Sequence, residues 1–263
     1  MKIIYSYKIL NNFWKKRTKD FFNVARLSVE YSRKLYTTVL YTDSLSKQIF
    51  DSNKVFFDEY VINDSLFTEV NEHTYGLSKF AVFRNETSPY ITLDLDAVLF
   101  ENITSNNSIT YGYKEVDLTI GSDIEEKQIH IDYLKRYYSP YFNKVENRFE
   151  QNKFTLYTDI YPSNSLVLVN NPFLMKECAD AVIKFMNKDY RSYTVQFYEQ
   201  YLLYMFLRNY KADIGFISES NPIIDLNKEY VMSDIFRLKF LHLDKYDRDP
   251  KIISLANKLF SYI

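Results

Sequence analysis

Four glycines in 263 residues are too few to build a glycine-rich phosphate loop, and neither a GxGxxG nor a GxxxxGK[ST] pattern occurs. The only cysteine, Cys178, excludes an intrachain disulfide, so the chain has no need of an oxidising compartment. No apolar run approaches the roughly 20 residues that span a bilayer. The opening Met1 to Tyr7 is too short in apolar residues for a signal peptide and reads as a first strand. The expectation is a cytoplasmic protein with no transmembrane segment. Neither sign of charge dominates: 33 Lys and Arg stand against 34 Asp and Glu, so no electrostatic footprint for nucleic acid is expected.

What the chain has in excess is aromatic: 25 Tyr and 21 Phe. Against that background Tyr133, Tyr137, Tyr138 and Tyr141 are expected to pack rather than to stack on a sugar. The basic group Lys15, Lys16, Arg17 and Lys19 is read as the solvated face of a helix at about 13–35, whose apolar side holds Phe21, Val24, Ala25, Ser28, Tyr31 and Leu35.

Around that helix the first hundred residues alternate strand and helix. Strands are expected at 2–7, 37–42, 55–62 and 90–100, with helices at 44–50, capped by Asp43, and at 74–86. This order predicts an α/β fold with a mostly parallel, Rossmann-like central sheet covered by helices on both faces. Later, strands are expected at 109–115, 163–169, 213–218 and 238–243, and helices at 173–186, 194–208 and 250–262, while 117–158 shows little period. No linker or repeat divides the chain, so a single domain over 1–263 is expected, with a nucleotide-binding half at 1–100 and an acceptor or variable half at 101–263.

The stretch from Tyr90 to Phe100 carries the chemistry. It is an apolar run interrupted by Asp94 and Asp96, read as one buried strand with both acids on a single face. Buried carboxylates without a counter-charge cost several kcal/mol each, and a divalent cation on oxygen ligands is the natural compensation. Hard cations of this kind hold diphosphates. His242, between Leu241 and Leu243, is a candidate third ligand, and an imidazole beside two carboxylates suits Mn²⁺ better than Mg²⁺. Lys245, three residues on, is placed to neutralise a leaving phosphate.

The strand ending at Asp43, Lys79 before the next strand, Asp94-Leu95-Asp96, Asn164-Ser165, Glu199-Gln200-Tyr201 and His242-Leu243-X-Lys245 follow one another in an order similar to that of GT-A-fold glycosyltransferases. The chain resembles a divergent member of that superfamily, nearest to an uncharacterised bacterial and phage group and more distantly to the glycogenin-like enzymes. The resemblance runs from about residue 2 to 250, except at 117–158. It implies an enzyme that transfers sugar from a nucleotide-diphosphate sugar, such as a UDP-sugar, to a glycan, protein or small-molecule acceptor. It implies Mn²⁺ or Mg²⁺ on Asp94, Asp96 and His242, with Asp96 binding directly and Asp94 also contacting the ribose or sugar. It implies base and ribose contacts at Tyr5, Ser6, Tyr7 and Asp43, donor contacts at Lys79 and Asn164, diphosphate contact at Lys245, and an acceptor-facing carboxylate at Glu199. The family glycine after Asn164-Ser165 is Leu166 here, which narrows the implied sugar pocket.

Two other readings use the same residues. Leu93 to Phe100 is also close to the first motif of haloacid-dehalogenase-type phosphatases, with Asp94 as nucleophile and Asp96 as general acid. Against it stand Ala97 where that motif has glycine and some ninety residues of strand and helix placed before it. The other reading is an inactive nucleotide-binding module, kept open by Leu166.

Overall fold

The computed structural model describes residues 1–10, 19–68, 70, 75–117, 160–186, 197–218, 232–243 and 250–262. Strands β1 (Lys2–Ser6), β2 (Thr37–Thr42), β3 (Glu59–Ile62) and β4 (Tyr90–Leu93) begin the sheet. β1 pairs in parallel with β2 and with β4, and β2 with β3. In the order β3-β2-β1-β4 the chain steps outward from β1 and then crosses to its other side. Such a reversal opens a crevice at the carboxyl ends of the two strands that flank it, here just after Ser6 and Leu93.

The helices follow from the apolar spacing read in the sequence. Helix α1 (Lys19–Arg33) buries Phe21, Val24, Ala25, Ser28 and Tyr31. Helix α2 (Ser44–Ser52) starts where expected, because Asp43 Oδ1 accepts the Ser46 N–H at 2.7 Å. Helix α3 (Ser78–Asn85) follows a 3₁₀ turn at Tyr75–Leu77 and buries Ser78 to Phe83.

A run expected to be one strand is two. β4 stops at Leu93, the chain turns through Asp94 to Asp96, and β5 (Ala97–Leu99) leaves the main sheet. The turn is closed by the Ala97 N–H on Asp94 O at 3.0 Å. β5 then pairs antiparallel with β10 (Phe240–His242) in a separate two-stranded sheet. Asp94 and Asp96 therefore share a turn and not a strand face.

The main sheet continues beyond β4 through β8 (Leu166–Val169) and β6 (Ile109–Asp117), each antiparallel to its predecessor. β7 (Ile160–Pro162) and β9 (Ile214–Ser218) both pair with β6, the first antiparallel and the second parallel. Residues on successive strand positions feed two cores. Ile4 joins the layer that includes α3, α4 (Pro172–Met186) and α5 (Leu203–Asn209), whereas Ile3 and Tyr5 join the layer of α1, β5, β10 and helix Pro250–Phe260. The helix expected over 194–208 enters as a π-helical turn at Phe197–Leu202 before α5. The tyrosines of 133–141 and the basic residues 15–17 lie outside the described residues. Among the described residues no helix is long and apolar enough to cross a membrane.

Candidate metal centre

The turn after β4 is held from three sides. Asp94 N–H donates to Ser165 O at 2.8 Å, Ala97 N–H closes the turn, and Leu243 N–H donates to Asp96 O at 2.8 Å. The β5–β10 register sets His242 opposite Ala97. Backbone pairing thus brings a residue near the C-terminus to within reach of the two acids. One carboxylate oxygen from each of Asp94 and Asp96 and one imidazole nitrogen of His242 all lie within 4.8 Å of one another. The side chains keep 29%, 26% and 15% exposure respectively, so the cluster is recessed but open.

The charges are already balanced in part by the chain itself. Lys79 Nζ stands 2.7 Å from Asp94 Oδ1 and donates to Asn164 O at 2.9 Å. His242 Nε2 is 3.5 Å from Asp96 Oδ1, and Tyr113 Oη is 2.9 Å from Nδ1 of the same ring. Burial pushes the Asp94 carboxyl above its ordinary value; Lys79 pulls against this and the Asp96 charge adds to it. Burial also acts to raise Asp96, but the charge and hydrogen bond of His242 outweigh it and hold that carboxyl below its ordinary value. Burial would lower His242, yet Asp96 beside it, aided by Tyr113 and Asp94, holds the imidazole well above its ordinary value.

These shifts fix a pH dependence. A His value raised by folding stabilises the metal-free fold fully below the unfolded value of about 6.5, and that contribution is lost as pH rises through the folded value. The urea midpoint of metal-free protein is therefore expected to fall as pH climbs above neutrality, and His242→Gln removes that dependence. A dependence unchanged in His242→Gln would assign it elsewhere. Lys79 offers a second handle, because it is 8% exposed beside a carboxylate. Lys79→Met is expected to cost roughly 2 to 3 kcal/mol, below the full cost of breaking a buried pair since Asp94 is partly open. Melting of metal-free protein reads this, and Mn²⁺ is expected to restore part of the loss; an unchanged midpoint would show that Lys79 does not offset Asp94.

The donor set fits a divalent cation: two hard carboxylate oxygens suit Mg²⁺ or Mn²⁺, and the imidazole favours Mn²⁺. Metal–oxygen bonds of about 2.1 Å require the three atoms to draw together by on the order of an ångström, within reach of side chains on a turn and a strand end. The residues expected at the donor site divide in two. Ser6 lies at the carboxyl end of β1, half-buried, and exchanges hydrogen bonds with Ser78, the neighbour of Lys79. Tyr7 follows it, half-buried, with Phe21 and Phe50 against its ring. Asn164 is fully buried and anchors Lys79 through its carbonyl. Tyr5 departs from expectation: it is fully buried in the core, its hydroxyl bonded to Ser28 at 3.1 Å and Ser32 at 2.7 Å, so its ring is closed to a ligand. Asp43 spends one carboxylate oxygen on the α2 cap.

Leu166 is fully buried, directly opposite Leu93 in the β4–β8 register, and packs in the same core as Phe240. Lys245 and the Glu199 side chain lie outside the described residues. Two contributions were not expected from the sequence: that of Ser165, named there only as part of the Asn164-Ser165 pair but acting here through its backbone oxygen, and that of Tyr113, one tyrosine among 25. Gln200, next to Glu199 on the π-helical turn, is 9% exposed, and its amide oxygen finds no hydrogen-bond partner among the described residues.

No family model and no curated protein matches the sequence. Among solved structures the chain is similar to the apo form of mouse xyloside xylosyltransferase 1, at 12% identity over 95% of this chain and 99% of that one, with a TM-score of 0.51. It is also similar to the galactosyltransferase LgtC in complex with donor and acceptor sugar analogues, at 11% identity over 100% of this chain and 96% of that one, with a TM-score of 0.48. The first of these shows the fold: a mostly parallel central sheet with helices on both sides, in the GT-A arrangement.

Proposed function

We propose that the chain is a metal-dependent glycosyltransferase that uses a nucleotide-diphosphate sugar, with Asp94, Asp96 and His242 holding Mn²⁺ or Mg²⁺. The observation that carries this reading is the convergence of three metal-type donors within 4.8 Å at the crevice of an open α/β sheet. The chain acts as one domain in this reading, with 1–100 reading the nucleotide and 101–263 facing the acceptor.

A bound divalent cation neutralises and orients the diphosphate. The protein's own groups do the rest. Lys79 pairs with Asp94 and would face the donor sugar or phosphate, while Asn164 fixes Lys79. Lys245 neutralises the charge that grows on the departing nucleoside diphosphate as the anomeric carbon–oxygen bond breaks, an electrostatic contribution that is often the largest in such chemistry. The acceptor oxygen forms the new bond to that carbon, and Glu199 takes its proton. Ser6, Tyr7 and Asp43 sit at or beside the strand ends where base and ribose would lie.

Incubation with a nucleotide sugar and Mn²⁺, without acceptor, separates this reading from its rivals. Slow release of nucleoside diphosphate is expected. Release of inorganic phosphate from phosphorylated substrates would make Asp94 a phosphatase nucleophile, and no turnover with retained nucleotide binding would make the chain an inactive module.

A further inference from the structure

Tyr113 belongs to β6, a strand that supplies no candidate ligand, yet its hydroxyl is 2.9 Å from His242 Nδ1. The opposite nitrogen, Nε2, is the one turned toward Asp96. The two ring nitrogens thus have separate partners, one on each side of the imidazole.

The tyrosine is fixed before it can fix anything else. It is 2% exposed, and its ring stacks on Phe240 with centroids 6.0 Å apart and planes 21° apart. Phe240 and His242 lie two residues apart on β10 and so share a face of that strand. Gly112 makes the stack possible: a Cβ there would stand 2.8 Å from Phe240 Cζ, closer than such contacts allow. Gly112 and Phe240 therefore fix the Tyr113 ring, whose centroid lies 6.3 Å from that of His242.

The geometry points to Tyr113 as the residue that positions His242 for the cation: its hydroxyl accepts the Nδ1 hydrogen and presents Nε2 toward Asp94 and Asp96. This assignment rests on the metal reading above. An imidazole that ligates through one nitrogen keeps its hydrogen on the other, and a fixed acceptor for that hydrogen holds both tautomer and ring orientation. A neutral hydroxyl does so without adding a third negative group to a site that already has two.

Tyr113→Phe keeps the stack on Phe240 and removes the hydroxyl alone. Mn²⁺ titration by calorimetry is expected to show affinity about tenfold weaker or more, the usual scale for losing an outer hydrogen bond to a ligating histidine. The melting midpoint of metal-free protein serves as the control for packing. In a His242→Ala background, where there is no ring to position, Tyr113→Phe is expected to add nothing. Pulsed electron paramagnetic resonance of Mn²⁺ on ¹⁵N-histidine-labelled protein is expected to show weakened nitrogen coupling in Tyr113→Phe. Wild type that binds Mn²⁺ with Tyr113→Phe unchanged, or with effects that simply add in the double variant, overturns the assignment alone. Wild type that binds no Mn²⁺ overturns the metal reading and the assignment with it.

Discussion

Asp96→Ala is expected to lower metal-dependent transfer on the order of a thousandfold, equivalent to about 4 kcal/mol of lost transition-state stabilisation. The size follows from position. Asp96 has the lowered carboxyl of the pair, it faces His242 Nε2, and its backbone oxygen is pinned by Leu243, so its carboxylate is ionised and aimed without a metal. Asp94 shares its charge with Lys79 and has less to give. The substitution leaves the turn's backbone bonds in place, and His242 without its partner reverts toward a neutral imidazole. A cooperative melt, with a midpoint lowered at neutral pH by the loss of the Asp96–His242 pair, is therefore expected alongside the loss of activity. A variant that folds normally and keeps more than a tenth of wild-type turnover would remove Asp96 from the site.

Leu166→Gly is expected to cost roughly 3 to 6 kcal/mol, from the cavity left by a fully buried leucine plus the flexibility of a strand glycine. That is a large share of the stability of an ordinary domain. The sequence raised the opposite possibility, that Leu166 narrows a sugar pocket which glycine would open. The structure places the side chain in the core with Phe240 and Tyr113, paired to Leu93 beneath the acid turn. Denaturant unfolding measures the cost. Faster transfer with undiminished stability would mean that Leu166 faces the donor after all.

The legible parts of the chain were those with a local signal. Asp43 announced the start of α2 because a cap is a local bond, and β1, β2 and α1 followed from apolar spacing. The acid pair and His242 were legible as chemistry, since carboxylates flanked by apolar residues demand a counter-charge. Their geometry was not. The turn at Asp94 to Asp96 contains no glycine or proline, and Leu95, Ala97 and Val98 continue the apolar run across it, so one strand and two strands look alike in sequence. What separates them is the pairing of β5 with β10, over a hundred residues away. Tyr5 and Tyr113 show the same limit in opposite directions. Both are strand tyrosines; one is held by two serines of α1 in the core and the other reaches the histidine, and only the neighbours distinguish them.

The central claim is that Asp94, Asp96 and His242 hold one cation that in turn holds a nucleoside diphosphate. Calorimetric titration of the nucleoside diphosphates, UDP among them, with and without Mn²⁺, tests it most directly. At least one is expected to bind in the presence of Mn²⁺ and to lose that binding when the metal is removed or Asp96 is replaced by alanine. Binding of equal strength without metal, or undiminished in Asp96→Ala, would contradict it.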